Sequence, residues 1–137
     1  MKIKIYLFLV LVISLQNTQA QIGRLALSPF QESKIKIATT DITITYSRPS
    51  KRGRKLFGGL VPFNQWWRTG ANRNTTIEFS EDVIINKQQV EKGKYAIFSK
   101  PSQKELEILF YKNTDNWDVP KDLDASKIAA TIKVGVQ

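Results

Sequence analysis

Between positions 47 and 73 the chain reads SRPSKRGRKLFGGLVPFNQWWRTGANR, with seven Lys or Arg and no Asp or Glu. Five of the six arginines lie here (Arg48, Arg52, Arg54, Arg68 and Arg73), together with the adjacent Trp66 and Trp67. A guanidinium is a planar fork that grips carboxylate, phosphate or sulfate and stacks on aromatic faces. The combination points to a cationic, aromatic-floored pocket for an anionic or carbohydrate ligand. Its candidate residues are Arg48, Arg54, Trp66, Trp67, Arg68 and Asn72. The competing expectation is that the arginines pair with the protein's own acids. Positions 105–124 carry Glu105, Glu107, Asp115, Asp118, Asp122 and Asp124 against two lysines, so the two regions are charge-complementary. In that case the segment is a structural loop of an assembly domain. Arg68 would then be a buried charge partner whose loss costs about 3–5 kcal/mol. Lys51, Arg52 and Lys55 read as a solvated tip, and Arg48, Arg68 and Asn72 as buried anchors or site residues.

Other chemistry is narrowed by what the sequence lacks. It contains no His and no Cys. That removes the usual general base, the Ser-His and Cys-His nucleophile pairs, and the common zinc and copper ligand sets. Catalysis would fall to carboxylates, Lys or Tyr, and the reading leans away from an enzyme. Glu105 and Glu107 sit two residues apart on one strand face, whereas glycosidase carboxylates converge across a cleft. A carboxylate-based hydrolase is therefore the weaker alternative, and no catalytic residue is assigned. NTDNWDVPKDLD lacks the ligand spacing of a calcium loop, and FGGL lacks the surroundings of a phosphate loop. No metal or cofactor is expected. A nucleic-acid partner fits poorly, because the cations cluster in one loop of a chain whose start reads as an export signal.

That start is MKIKIYLFLVLVISLQNTQA. Lys2 and Lys4 precede an apolar run from Ile5 to Ile13 that is too short for a comfortable membrane span, and Thr18 and Ala20 prepare a cut before Gln21. Residues 1–20 are read as a cleavable signal peptide and residues 21–137 as a single β-rich domain, periplasmic or extracellular. With no cysteine at the cut, no lipid anchor is expected to hold it to a membrane. The charge is +9, of which the leader supplies two, leaving +7.

The elements that must position the arginines are strands. Apolar residues alternate in SKIKIA, DITITYS, TTIEFS, GKYAIFSKP, ELEILFYKN and KIAATIKVGV, and DVIIN is a short apolar run. KIAATIKVGV places Ile128, Ala130, Ile132 and Val134 on one side. About seven short strands separated by turn residues predict an all-β, antiparallel β-sandwich or small barrel, each strand facing core and water by turns. SPFQES and VPFNQWW could each form a helical turn. The long Arg/Gly/Trp-rich segment is the one irregular stretch, and unstructured loops of its length are uncommon unless packed or functional. Leu56, Phe57, Leu60, Val61 and Phe63 are apolar enough to tuck part of it against the core.

With those residues in view, the chain resembles the bacterial secreted family catalogued as domain of unknown function 2911. Arg48, Pro49, Ser50, Gly53, Arg54, Phe57, Gly58, Val61, Pro62, Trp67 to Asn72 and Thr76 match its central pattern. Gly93, Lys94, Tyr95, Phe98 and Pro101 match the following hairpin. The resemblance runs from about Leu27 to Trp117. It implies an exported β-rich domain with no established activity, and it carries over no catalytic residues. After Trp117 the family usually continues with a G-A-Y-like stretch, where Asp118, Val119 and Pro120 stand here. It also tends to run on beyond the equivalent of Val136. The chain therefore reads as shortened, with an exposed C-terminal strand edge open to a partner strand.

Overall fold

A computed structural model describes residues 26–136. The leader expected over residues 1–20 lies outside the described residues. Among the described residues eight strands form: β1 (Phe30–Ile37), β2 (Thr40–Ser47), β3 (Thr76–Phe79), β4 (Val83–Ile85), β5 (Gln88–Val90), β6 (Gly93–Pro101), β7 (Glu105–Tyr111) and β8 (Ile128–Gly135). Six of them make one sheet in the order β1-β2-β3-β6-β7-β8, while β4 and β5 form a separate two-stranded sheet. Every pairing is antiparallel. The fold is all-β with two sheets of unequal size, and it is not a closed barrel. SPFQES makes no helical turn, because Phe30 already opens β1 opposite Ser47.

One strand is absent from the sequence expectation. β5 (QQV) has two polar residues and only one apolar residue, so no alternation marks it. Its hairpin turns on Asn86 and Lys87, at φ 49° and 68°. Two positive φ values in a two-residue loop match the twist of the flanking strands, a geometry usually signalled by Asn-Gly. Lys at the second position hides the signal and carries strain. Lys87→Gly should raise stability by about 0.5–1 kcal/mol. An unchanged urea midpoint would show that the turn is unstrained.

Two cores lie on opposite faces of the large sheet. On one, Phe79, Tyr95, Phe110 and Ile132 pack with Val90 of β5, while Val83 and Ile85 of β4 close over them. The rings of Phe79, Tyr95 and Phe110 stand about 6.3–6.4 Å apart in tilted and edge-on pairs. On the other face, Ala96, Phe98, Leu109 and Tyr111 are buried under Trp66, Val119, Leu123 and Ile128. β6 and β7 are thus covered on both sides, not alternately dry and wet. The second cover is not a sheet. It is the long segment between β2 and β3 together with the connection between β7 and β8.

A bulge lets β8 serve both cores. Phe110 lies opposite Ala130 but Tyr111 lies opposite Ile128, so Ala129 is an extra residue. One inserted residue flips the faces that follow. Ile128 therefore packs with Tyr111 while Ala130 and Ile132 join the other core, although plain alternation had put all three on one side. The outer edge of β8 is partly occupied. Gln88 Oε1 accepts from the Thr131 N–H at 3.1 Å, and Asn86 Nδ2 donates to the Lys133 carbonyl at 3.4 Å. Side chains of the small hairpin thus engage backbone groups that a partner strand would otherwise use.

Candidate functional site

The Arg/Trp segment is folded against the sheet by its own backbone. β3 accompanies β6 only as far as Ala96. Beyond that point the segment takes its place. Thr75 accepts from the Ile97 N–H at 2.8 Å, and Trp67 and Ser99 exchange two hydrogen bonds of 2.7 and 2.8 Å. The Asn64 N–H reaches the Pro101 carbonyl at 2.8 Å. Side chains reinforce the junction: Thr69 Oγ1 lies 2.9 Å from Ser99 Oγ, and Thr75 Oγ1 donates to the Thr69 carbonyl at 3.0 Å. These bonds explain why VPFNQWW is not helical. Its backbone groups extend a sheet.

Ahead of that junction a tight loop closes on itself. Val61 donates to the Leu56 carbonyl at 2.9 Å, Leu60 to Lys55 at 3.0 Å, and Gly58 to Val61 at 2.9 Å. Val61 is 1% exposed, so the loop carries its own buried anchor. Gly58 at φ 71° and Gly59 permit the chain reversal.

Between this loop, the Trp67–Gly70 stretch and the β7–β8 connection lies a cleft of about 440 Å³. Pro49, Leu56, Leu60, Trp67 and Ala71 supply its apolar lining, Lys51, Arg54 and Arg68 its cations, and Asp118 its one carboxylate. Three of the six candidates therefore converge: Arg54, Trp67 and Arg68. The other three do not line it. Trp66 packs on the second core, with Lys100 Nζ 4.6 Å above its ring. Neighbouring residues in an extended stretch point to opposite sides, which separates the two indoles. Arg48 is exposed rather than a buried anchor; its backbone N–H bonds to Pro29 at 3.0 Å. Asn72 is exposed too, at φ 60°, and donates through Nδ2 to the Ser28 carbonyl at 3.3 Å. Both hold the approach to β1. Lys51, Arg52 and Lys55 are exposed, as a solvated tip requires. Leu60 and Asp118 were not among the candidates, and no local pattern marks them, since each reaches the cleft from a different loop.

The expected pairing of loop arginines with acids 105–124 is confined to one contact. Arg68 Nη1 lies 3.7 Å from Asp118 Oδ2 and donates to the Trp117 carbonyl at 3.2 Å. Glu105 is engaged by Lys133 at 3.3 Å and Glu107 by Lys100 at 2.7 Å, across the sheet, while Asp124 meets Lys127 at 3.4 Å. Both strand carboxylates of the hydrolase alternative are thus held in ion pairs. Arg54 turns inward on its own loop, with Nε donating to Lys51 at 3.1 Å and Nη2 to Ser50 at 3.2 Å. Tyr95 has its phenol pKa raised by burial first and then by Glu91 and Asp82. It stays protonated and donates to the Glu91 carbonyl at 2.7 Å.

The Arg68 side chain is 25% exposed and that of Asp118 69%. This is not the fully buried pair whose loss would cost about 3–5 kcal/mol. A solvent-facing pair contributes about 0–1 kcal/mol, and the bond to Trp117 adds a similar amount. Arg68→Ala should therefore lower stability by about 1–2 kcal/mol, read from denaturant unfolding. A loss above about 3 kcal/mol would restore the buried-pair account.

Fold and cleft define a small all-β domain whose longest connection is built into a concave surface. The chain belongs to the family described as Protein of unknown function (DUF2911), whose model matches residues 28–137. No curated protein and no solved structure matches it.

Proposed function

We propose that this chain is an exported binding domain whose cleft takes an anionic or carbohydrate ligand through Trp67, Arg54 and Arg68. One observation carries the reading: an indole and two guanidinium groups line a single concavity with only one carboxylate among them. Its volume of about 440 Å³ falls within the range of small-molecule sites, roughly 300–1,000 Å³. Export is supported by the leader-like residues 1–20. Binding should perturb Trp67 directly. Titrating the purified protein with carboxylates, phosphate, and neutral and sulfated oligosaccharides should give a saturable change in tryptophan fluorescence for at least one class. That change should be lost in Trp67→Leu and kept in Trp66→Leu. A flat response to every class would contradict the reading.

A structural role is favoured by a different observation. Arg54 and Arg68 both spend donors on backbone carbonyls, as loop anchors do. On this second reading, Arg68→Ala changes stability alone and no probe reaches the cleft.

A further inference from the structure

The walls and the cations of the cleft differ in kind. Leu56, Leu60 and Trp67 form an apolar body, while Lys51, Arg54, Arg68 and Asp118 supply charge at discrete points. Leu60 is 49% exposed, so part of this apolar surface meets water. We infer that the ligand is an amphipathic monoanion: an alkyl chain or aromatic ring of modest length bearing one carboxylate, which the unoccupied edge of Arg68 grips. This rests on the reading of the cleft as a ligand site and narrows it to one chemistry.

The competing ligands fit less well. A neutral sugar carries a ring of hydroxyls, each both donor and acceptor. Against aliphatic walls those hydroxyls lose water without replacement. Sulfate or phosphate would use the cations and leave the apolar walls bare. A polyanion needs cations repeated along an open track, whereas here they gather at one cleft. An alkyl carboxylate uses both kinds of lining at once, burying its chain against leucine and indole while its head meets a guanidinium.

The two arginines are not equivalent. Arg54 commits Nε and Nη2 to the carbonyls of Lys51 and Ser50. That is the side-on edge a carboxylate would take, and it is closed. Arg68 commits only Nη1, to Trp117 and toward Asp118. Among the described residues its Nε and Nη2 have no partner, so its side-on edge is open to a bidentate carboxylate. Asp118, mostly exposed, competes for the same guanidinium from the other end.

The test uses octanoate, 1-octanol, maltotetraose and sulfate as probes, read by tryptophan fluorescence and calorimetry on the purified protein. Octanoate should saturate, and octanol should bind about tenfold or more weakly, as loss of a charge-assisted fork requires. Arg68→Gln and Leu60→Glu should each weaken octanoate by about tenfold or more. Asp118→Asn should strengthen it, because a competing carboxylate is neutralised while its side chain can still accept from the Val119 N–H. Should Arg68→Gln fail to fold, Leu60→Glu and Asp118→Asn decide the matter. Octanol binding as tightly as octanoate, or weaker octanoate binding by Asp118→Asn, overturns the inference. So does maltotetraose or sulfate saturating where octanoate does not, but the cleft then survives as a ligand site. If none of the four binds, the inference falls, and the reading beneath it falls too once phosphate and sulfated oligosaccharides also give a flat response.

Discussion

Phe98→Ala should lower stability by about 3–5 kcal/mol, the largest loss expected from any single truncation. Phe98 is 0% exposed and sits at the centre of the second core, with its ring 5.7 Å from that of Tyr111. The cost has two parts. Transfer of the ring to water is lost, and the remaining cavity cannot collapse, because β6 is bonded along both edges. Domains of this size hold only about 5–15 kcal/mol in total, so the variant should be only marginally folded at 25 °C. The effect should extend beyond stability. Trp66 and Val119 pack on this cluster from the two connections that flank the cleft, so the cavity loosens both. A guanidinium chloride midpoint little changed from the parent would mean that this face of the sheet is not a core at all.

Gly59→Ala should cost about 3 kcal/mol although it adds one methyl group at an exposed position. The new Cβ would stand 2.5 Å from the Lys55 carbonyl oxygen, and a backbone atom cannot step aside as a side-chain tip can. The Leu60 N–H bonds to that same carbonyl at 3.0 Å, so relieving the clash breaks the loop. Leu56 and Leu60 would move with it, and the cleft would lose a wall. Gly58→Ala would meet a softer obstacle, the Phe63 ring at 2.8 Å, together with a φ of 71°. It should be the milder of the two. Equal stability of Gly59→Ala and the parent, by denaturant unfolding, would show that the loop is not held as described.

The strands were legible because one period governs them. Ile42 and Ile44, or Ile77 and Phe79, alternate with polar neighbours, and the register follows. The two departures share a cause. At Ala129 an inserted residue breaks the period without any residue type that marks a bulge, and at Asn86-Lys87 a lysine stands where glycine would have signalled the turn. The second cover of the sheet was harder to see. Trp66, Val119 and Leu123 lie in segments with no periodicity, so composition could indicate that they pack but not where. The same limit applies to the cleft. Arg54, Trp67 and Arg68 were visible as chemistry, but Asp118 comes from a loop about fifty residues away, and only the long-range fold brings it near Arg68. Arg48 and Asn72 were expected as buried anchors or site residues because their residue types suggest anchoring, and both are exposed. The structure uses the Arg48 backbone and a single bond from the Asn72 side chain.

The Arg/Trp segment has one shape, pinned along β6 and closed over its own loop. Residue-resolved amide hydrogen exchange tests this most directly at Val61, Trp67 and Ser99, whose N–H groups donate to Leu56, Ser99 and Trp67. Protection at all three should approach that of the β6–β7 ladder and rise further when octanoate is added. Exchange of Val61 and Trp67 at the rate of an open chain, with the β6–β7 ladder still protected, would leave a loose loop and no preformed cleft.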